Sequence, residues 1–210
     1  MVHPNLCTGG AERQIVQLLR YHNKTALEIV LVLYEEKGSL LKELGSIEGQ
    51  KTVHLFCTGS YLGIGRGLGL IWTIWREKPD GICSYLVGVN IVCFLAAKIL
   101  RVKTVVWGLR VSKFDQITLG PKGYIVERLA RLLSRGVDLV IANNQRGLED
   151  YKRAGYKPKS WIVIHNGIDT ERFRASEHLR MLFRQEINAN KNDIVISMIA
   201  RVVDWKGYKY

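Results

Sequence analysis

The sequence predicts an α/β protein built on a mostly parallel sheet with helices packed against it. Three observations carry this. Short β-branched, apolar runs alternate with helical patterns of ten or more residues, as βαβ units require. The run 103–107 (KTVVW) is apolar without alternation, which suits a strand covered on both faces. The helical pattern 89–100 (VNIVCFLAAKIL) is apolar nearly all round, so it belongs buried on the flank of a sheet.

Size and composition narrow the class. The 210 residues suffice for one domain with a sizeable core and part of another. A hydrophobic content of 47% with 24% charged residues is that of an ordinary soluble globular chain. Cys7, Cys57, Cys83 and Cys93 form no Cys-x-x-Cys pair, and no secretory leader is read before them. They are expected to be reduced, buried thiols of a cytosolic protein, not metal ligands. The net charge of +12 calls for an anionic partner: nucleic acid, a membrane surface or phosphorylated substrates. The basic residues are spread along the chain with no block interleaved with aromatics, which argues against a nucleic-acid module. No apolar run reaches the roughly 20 residues of a spanning helix. The run 68–75 comes nearest and stops at Arg76-Glu77-Lys78-Pro79.

Taken in order, the elements begin weakly. Only Val2 and His3 can form a strand before Pro4 cuts it off, so the sheet is expected to lose a member near its centre. Gly9-Gly10 opens an amphipathic helix, 11–21, with Ile15, Leu18 and Leu19 on one face. A Gly-Gly pair at a helix start is either a structural turn or a place where backbone N–H groups approach a phosphate. Then come a strand at 28–34, a short helix at 39–44 capped by Ser39, and a strand at 52–55. A helix at 62–77, weakened at its start by glycines, ends at Pro79-Asp80, and a strand follows at 81–85. Beyond the strand 103–107, a helix within 121–134 has apolar positions at helical spacing, with a basic face of Arg128, Arg131 and Arg135 among them. The strand 139–142 leads to a helix capped by Asn144 or Gln145 and ended by Gly155. The strand 161–165 runs into an Asn166-Gly167 turn, and Asp169 can cap the short turn 170–173. A charged helix at 177–186 and a buried strand at 194–200 complete the series.

In parallel sheets ligands bind beyond the carboxyl ends of the strands. The loops worth reading are therefore 8–10, 85–88, 108–114, 143–145 and 165–169. Arg110, at one strand's end, can grip a phosphate or a sugar carboxylate with two parallel hydrogen bonds, or pair with a neighbouring carboxylate.

Four strings occur in a telling order: Gly9-Gly10-Ala11-Glu12-Arg13; Trp107-Gly108-Leu109-Arg110; Asn166-Gly167-Ile168-Asp169; and Ala200-Arg201 followed by Lys206-Gly207. Together they resemble the family 4 glycosyltransferases, retaining enzymes of the GT-B fold. The resemblance implies a Rossmann-like, acceptor-side N-terminal domain over residues 1–175. Over 176–210 it implies a linker helix and the start of a C-terminal nucleotide-sugar-binding domain, a truncated second domain. The function implied is transfer of a sugar, with retention, from a nucleotide sugar to a glycan or lipid-linked acceptor in polysaccharide or glycolipid synthesis. By the same resemblance Arg201 and Lys206 hold the donor diphosphate, and their cations stabilise the negative charge that gathers on the leaving group. Gly9, Gly10 and Arg110 shape the acceptor side of the cleft, and Asn166 positions the crossing; no catalytic residue is assigned. No cofactor or metal is implied, since Arg and Lys stand where a cation would. The basic helix at 121–134 implies a cytoplasmic protein, peripheral on the inner face of an anionic membrane, with no nucleic-acid partner. Two departures stand out. Ala200 replaces the usual glycine, and no histidine lies between Gly108 and Asp115, where many relatives carry one. The 210 residues by themselves are expected to be inactive. The rival readings are a nucleotide-sugar 2-epimerase, against which the Gly-Gly-Ala-Glu-Arg opening speaks, and a non-catalytic binding domain of the same fold.

Overall fold

The computed structural model describes residues 1–55, 64–110 and 116–199. It divides into two compact units, residues 1–167 and 168–210. The first opens with β1 (Val2–His3), a strand of two residues, as Pro4 dictates. There follow α1 (Gly10–Tyr21), β2 (Val30–Leu33), α2 (Leu41–Gly45), β3 (Lys51–His54) and α3 (Ile64–Glu77). The chain continues through β4 (Gly81–Tyr85), α4 (Val87–Ile99), β5 (Thr104–Leu109) and α5 (Gln116–Leu133). A 3-10 turn (Ser134–Gly136), β6 (Leu139–Ala142), α6 (Gln145–Arg153) and β7 (Ser160–Val163) complete this unit.

All seven strands pair in parallel, in the order β3-β2-β1-β4-β5-β6-β7. The sheet keeps its central member, contrary to the expectation from the sequence. Two residues suffice because β1 is flanked on both sides, with Val2 opposite Val32 and Ser84. The chain moves outward from β1 to β3, then returns to lay β4 on the other side of β1. That reversal opens a crevice at the carboxyl ends of β1 and β4. One apolar core lies between the sheet and α1–α2, centred on Ile15, Leu19, Leu31 and Leu33. A second lies on the α3–α6 side, around Trp107, Phe94, Val140 and Tyr151.

Local chemistry accounts for the places where the elements differ from their sequence-based limits. Ser39 does not cap α2, which starts at Leu41 without a side-chain cap. Its hydroxyl instead shares a 2.7 Å bond with Thr8. Gly38 turns the chain there at φ +129, with its backbone against the carbonyl of Leu6, and so ties the loop after β2 to the loop after β1. The helix read within 121–134 is preceded by another turn, 116–119, and Gly120 at φ 68 breaks the two apart. Pro121 thereby becomes the first residue of the longer piece, where its missing N–H is harmless.

The basic face read on that helix is smaller than expected. Arg135 lies beyond it in the 3-10 turn, and Arg131 turns inward to donate to the carbonyl of Ala154 at 3.0 Å. Arg131 also stands 3.9 Å from buried Glu127, which accepts a 2.9 Å bond from the Tyr156 hydroxyl. Burial pushes the Glu127 carboxyl above its ordinary range, outweighing the pull of Tyr156 and then of Arg131 in the other direction. The folded state therefore holds this proton more tightly than the unfolded chain. The stability it contributes is present below the ordinary carboxyl pKa of 4.5 and is lost as pH rises through the higher folded value. Glu127→Gln keeps the acceptor for Tyr156 and removes the charge. It should flatten the fall in stability above pH 4.5, measured by urea unfolding across pH. An unchanged slope would exclude Glu127 as its source.

The second unit contains α7 (Glu177–Glu186), capped by Ser176, whose hydroxyl accepts from the N–H of Leu179. Asp169 caps the turn before it, accepting from the N–H of Arg172 at 3.0 Å. The run 194–199 forms no ladder among the described residues, and Ile194, Ile196 and Ile199 are exposed. A strand exists only through its neighbours, and all described pairing belongs to the first unit.

Candidate functional site

The crevice at the reversal is walled by the residues that leave β1, β4, β5 and β7. Gly9 precedes α1 in extended backbone that any residue adopts, so handedness does not explain it. A Cβ on Gly9 would fall 2.2 Å from the Glu12 carboxylate, which folds back over it but, as the end of a flexible side chain, can swing away. A Cβ on Gly10 would meet nothing within 4 Å, so the first turn of α1 faces open space there. Among the described residues no side chain caps this helix. Arg13, from the same string, points away to an ion pair with Glu43 at 2.7 Å and serves the fold.

One turn into α1, Gln14 reaches across the crevice. Its amide donates to the carbonyl of Gly167 and accepts from the Gly167 N–H, both at 2.8 Å, across 153 positions of sequence. Asn166 beside it accepts from the guanidinium of Arg110. Arg110 also lies 5.3 Å above the ring of Tyr85, the last residue of β4. That ring occupies the space a side chain on Gly108 would need, since a Cβ there would come within 2.3 Å of it. Burial pushes the Tyr85 phenol well above its ordinary range, so it stays protonated.

Beneath them His3 is fully buried, its ring 6.1 Å from that of Tyr85. Nδ1 lies 2.7 Å from the carbonyl of Asn5 and donates to it, which leaves Nε2 as a bare acceptor without a partner among the described residues. Burial, first of all, pushes its pKa down, so the ring is neutral. The turn into α4 is strained as well: Leu86 adopts φ 73, a conformation that costs a non-glycine residue about 1–3 kcal/mol.

The structure thus links Gly9, Gly10, Arg110 and Asn166 through Gln14 and Gly167. Arg201 and Lys206 lie outside the described residues. Among the described residues Arg110 has no carboxylate partner, so its charge is not neutralised. Asn144 is absorbed by the fold, accepting from the Gly147 N–H at 2.6 Å to cap α6. Gln14 and Tyr85 were not singled out by sequence, because a glutamine in a helix and a tyrosine closing a strand are common. The i, i+4 spacing from Gly10 to Gln14 was the one usable sign, placing both on one face of α1.

The sequence profile of glycosyltransferase family 4 matches residues 8–172, which includes every described member of this group except His3. The chain belongs to glycosyltransferase family 4. No curated protein matches. Among solved structures, HepE of Anabaena in complex with UDP superposes with TM-score 0.76 at 20% identity, over 99% of this chain and 54% of its own. The same protein with UDP-glucose gives 0.74 at 20% identity, with the same coverage of 99% and 54%. UDP-N-acetylglucosamine 2-epimerase from Rickettsia bellii gives 0.54 at 14% identity, over 90% of this chain and 51% of its own. The family 4 chain therefore spans about half the length of the structures it matches, and its fold is the Rossmann-like half of a GT-B protein. Among the described residues no helix is long and apolar enough to cross a membrane.

Proposed function

We propose that this chain forms the acceptor-side half of a retaining glycosyltransferase that moves a sugar from a nucleotide sugar to a glycan or lipid-linked acceptor in polysaccharide or glycolipid synthesis. Arg110 carries the reading. It is a cation at the reversal of the sheet, held by an amide oxygen and an aromatic ring, with no carboxylate to quench it among the described residues. Such a group is preorganised for an anionic part of substrate. Gly10 leaves room for that substrate beside the start of α1, Gly9 lets the Glu12 carboxylate fold back there, and Asn166 fixes the guanidinium.

Residues 1–175 make the acceptor side in this reading, and 176–210 begin the nucleotide-sugar side, where Arg201 and Lys206 bind the donor diphosphate. These cations take the role of a metal, and no cofactor is used. The enzyme works peripherally at the cytoplasmic face of an anionic membrane. The complexes of HepE with UDP and UDP-glucose support a uridine nucleotide as the donor's handle. The epimerase likeness is the second reading, weaker in both superposition and identity.

The 210 residues alone should show no transfer, since the reaction requires both sides of a cleft to hold the reacting groups together. In a polypeptide as long as the matched structures, sugar transfer from UDP-sugars is expected, with the anomeric configuration of the product read by NMR. Inversion at the anomeric carbon would defeat the retaining mechanism. Interconversion of free UDP-sugars without acceptor would establish the epimerase instead.

A further inference from the structure

Helices α3, α4 and α5 lie side by side on one face of the sheet, and their outward surfaces are unusual for a soluble domain. On α3, Leu68, Trp72 and Trp75 recur at i, i+4 and i+7, with the two tryptophans 53% and 62% exposed. On α5, Ile125, Leu129 and Leu132 repeat the same spacing, Ile125 being 66% exposed. Between them α4 presents Leu95 and Ile99. Single exposed apolar residues need no explanation, but stripes on three adjacent helices do.

The charges on this surface are mostly positive. Arg76, Lys98, Lys122 and Arg128 are exposed among the apolar residues. The three helices contain two carboxylates: Glu127, buried against Tyr156, and Glu77 at the end of α3, which pairs with Arg76 at 2.7 Å and with Lys51. Where α3 and α4 end, a cavity of about 400 Å³ is lined by Trp75, Lys78, Asp80, Arg101 and Lys103. Lys103 pairs with Asp80 at 3.0 Å, while Lys78 and Arg101 have no carboxylate partner among the described residues. This cavity opens at the amino ends of β4 and β5, the opposite end of the sheet from Arg110.

We propose that the outer surface of α3–α5 docks on an anionic lipid bilayer, with Trp72 and Trp75 in the headgroup layer and the cavity of Lys78 and Arg101 around a lipid phosphate. Amphipathic tryptophan rings and basic side chains are the residues that settle at a membrane interface. The guanidinium of Arg76, 4.5 Å above the Trp72 ring, places both kinds at one level. A second copy of the chain would set cation against cation, on a protein that already carries +12. Nucleic acid would leave the aliphatic stripe of α5 facing a charged backbone. The proposal deepens the membrane part of the function above and is independent of its chemistry, because docking needs neither donor nor acceptor.

The test is sedimentation of the 210-residue chain with phosphatidylcholine vesicles, with and without phosphatidylglycerol. Binding is expected to the anionic vesicles only and to weaken with salt. Trp72→Ser with Trp75→Ser should reduce partitioning about tenfold or more, and Lys78→Gln with Arg101→Gln about fivefold per charge. Tyr21→Ser, an exposed change on α1 across the sheet, should leave binding intact. In the unmodified chain, lipids brominated on the acyl chain should quench tryptophan emission, which keeps the test valid whatever the variants do to folding. Anionic binding that survives the tryptophan changes, with no quenching, would overturn the surface while sparing the membrane reading. Failure to bind anionic vesicles at all would overturn both and leave sugar transfer standing. Tighter binding to DNA at the same salt, or a dimer abolished by the tryptophan changes, would likewise overturn the proposal.

Discussion

Gly38→Ala should destabilise the chain by about 3–5 kcal/mol, placing it among the most damaging single substitutions. Two costs add. The residue sits at φ +129, where an L side chain is strained by roughly 1–3 kcal/mol. Its Cβ would then lie 1.9 Å from the carbonyl oxygen of Leu6 and 2.0 Å from the carbonyl carbon. Those are backbone atoms, so no rotamer change relieves the clash. The two loops must part, taking with them the bonds from Leu6 N–H to Lys37 and from Leu40 N–H to Leu6. Two glycines separate the causes. Gly49 shares a positive φ, at +72, but would meet nothing, so Gly49→Ala reports strain alone. Gly10→Ala has neither strain nor clash and should be nearly neutral. Urea unfolding of all three would test the account. A Gly38→Ala protein as stable as Gly10→Ala would disprove the close approach of these loops.

Arg110→Ala, in an active polypeptide carrying this chain, should lower kcat/KM by about a hundredfold or more, the usual loss of one preorganised donor. Its thermal midpoint should move little, because Arg110 is half-exposed and holds no buried ion pair among the described residues. Arg110→Lys keeps the charge but loses the planar group that meets both Asn166 and the Tyr85 ring, so only partial recovery is expected. Kinetics like those of the unmodified enzyme would remove Arg110 from the site. A loss of stability matching the loss of activity would make it a structural clamp between β5 and the turn after β7.

Much of the fold was legible because each signal is local. The limits 81–85, 139–142 and 177–186 agree with the structure to the residue, each bounded by a breaker or cap next to a clear apolar or helical pattern. Asp169 is read as a cap for the same reason, and Asn144 as one of two candidates with Gln145. Partners distant in sequence were not legible. Ser39 reads as a cap until the loop containing Thr8 is laid beside it, and the 194–200 run reads as a strand although its described part, 194–199, forms no ladder. The site divides in the same way. Arg110 stood out by its place after a strand, whereas Gln14 and Tyr85 acquire their roles only from Gly167 and Gly108, each on another element.

The bond pair between Gln14 and Gly167 also sets a timetable for synthesis. Residue 14 leaves the ribosome early, but its partner follows 153 positions later. Every sheet pairing here is parallel and joins strands separated by a crossover, so no hairpin can stand in meanwhile. Gln14 must therefore wait for its backbone partner until β7 has been translated and added to the sheet. A nascent chain stalled before residue 160 should leave the 8–14 segment open to protease. A chain stalled far enough beyond 167 for that residue to clear the exit tunnel should protect it.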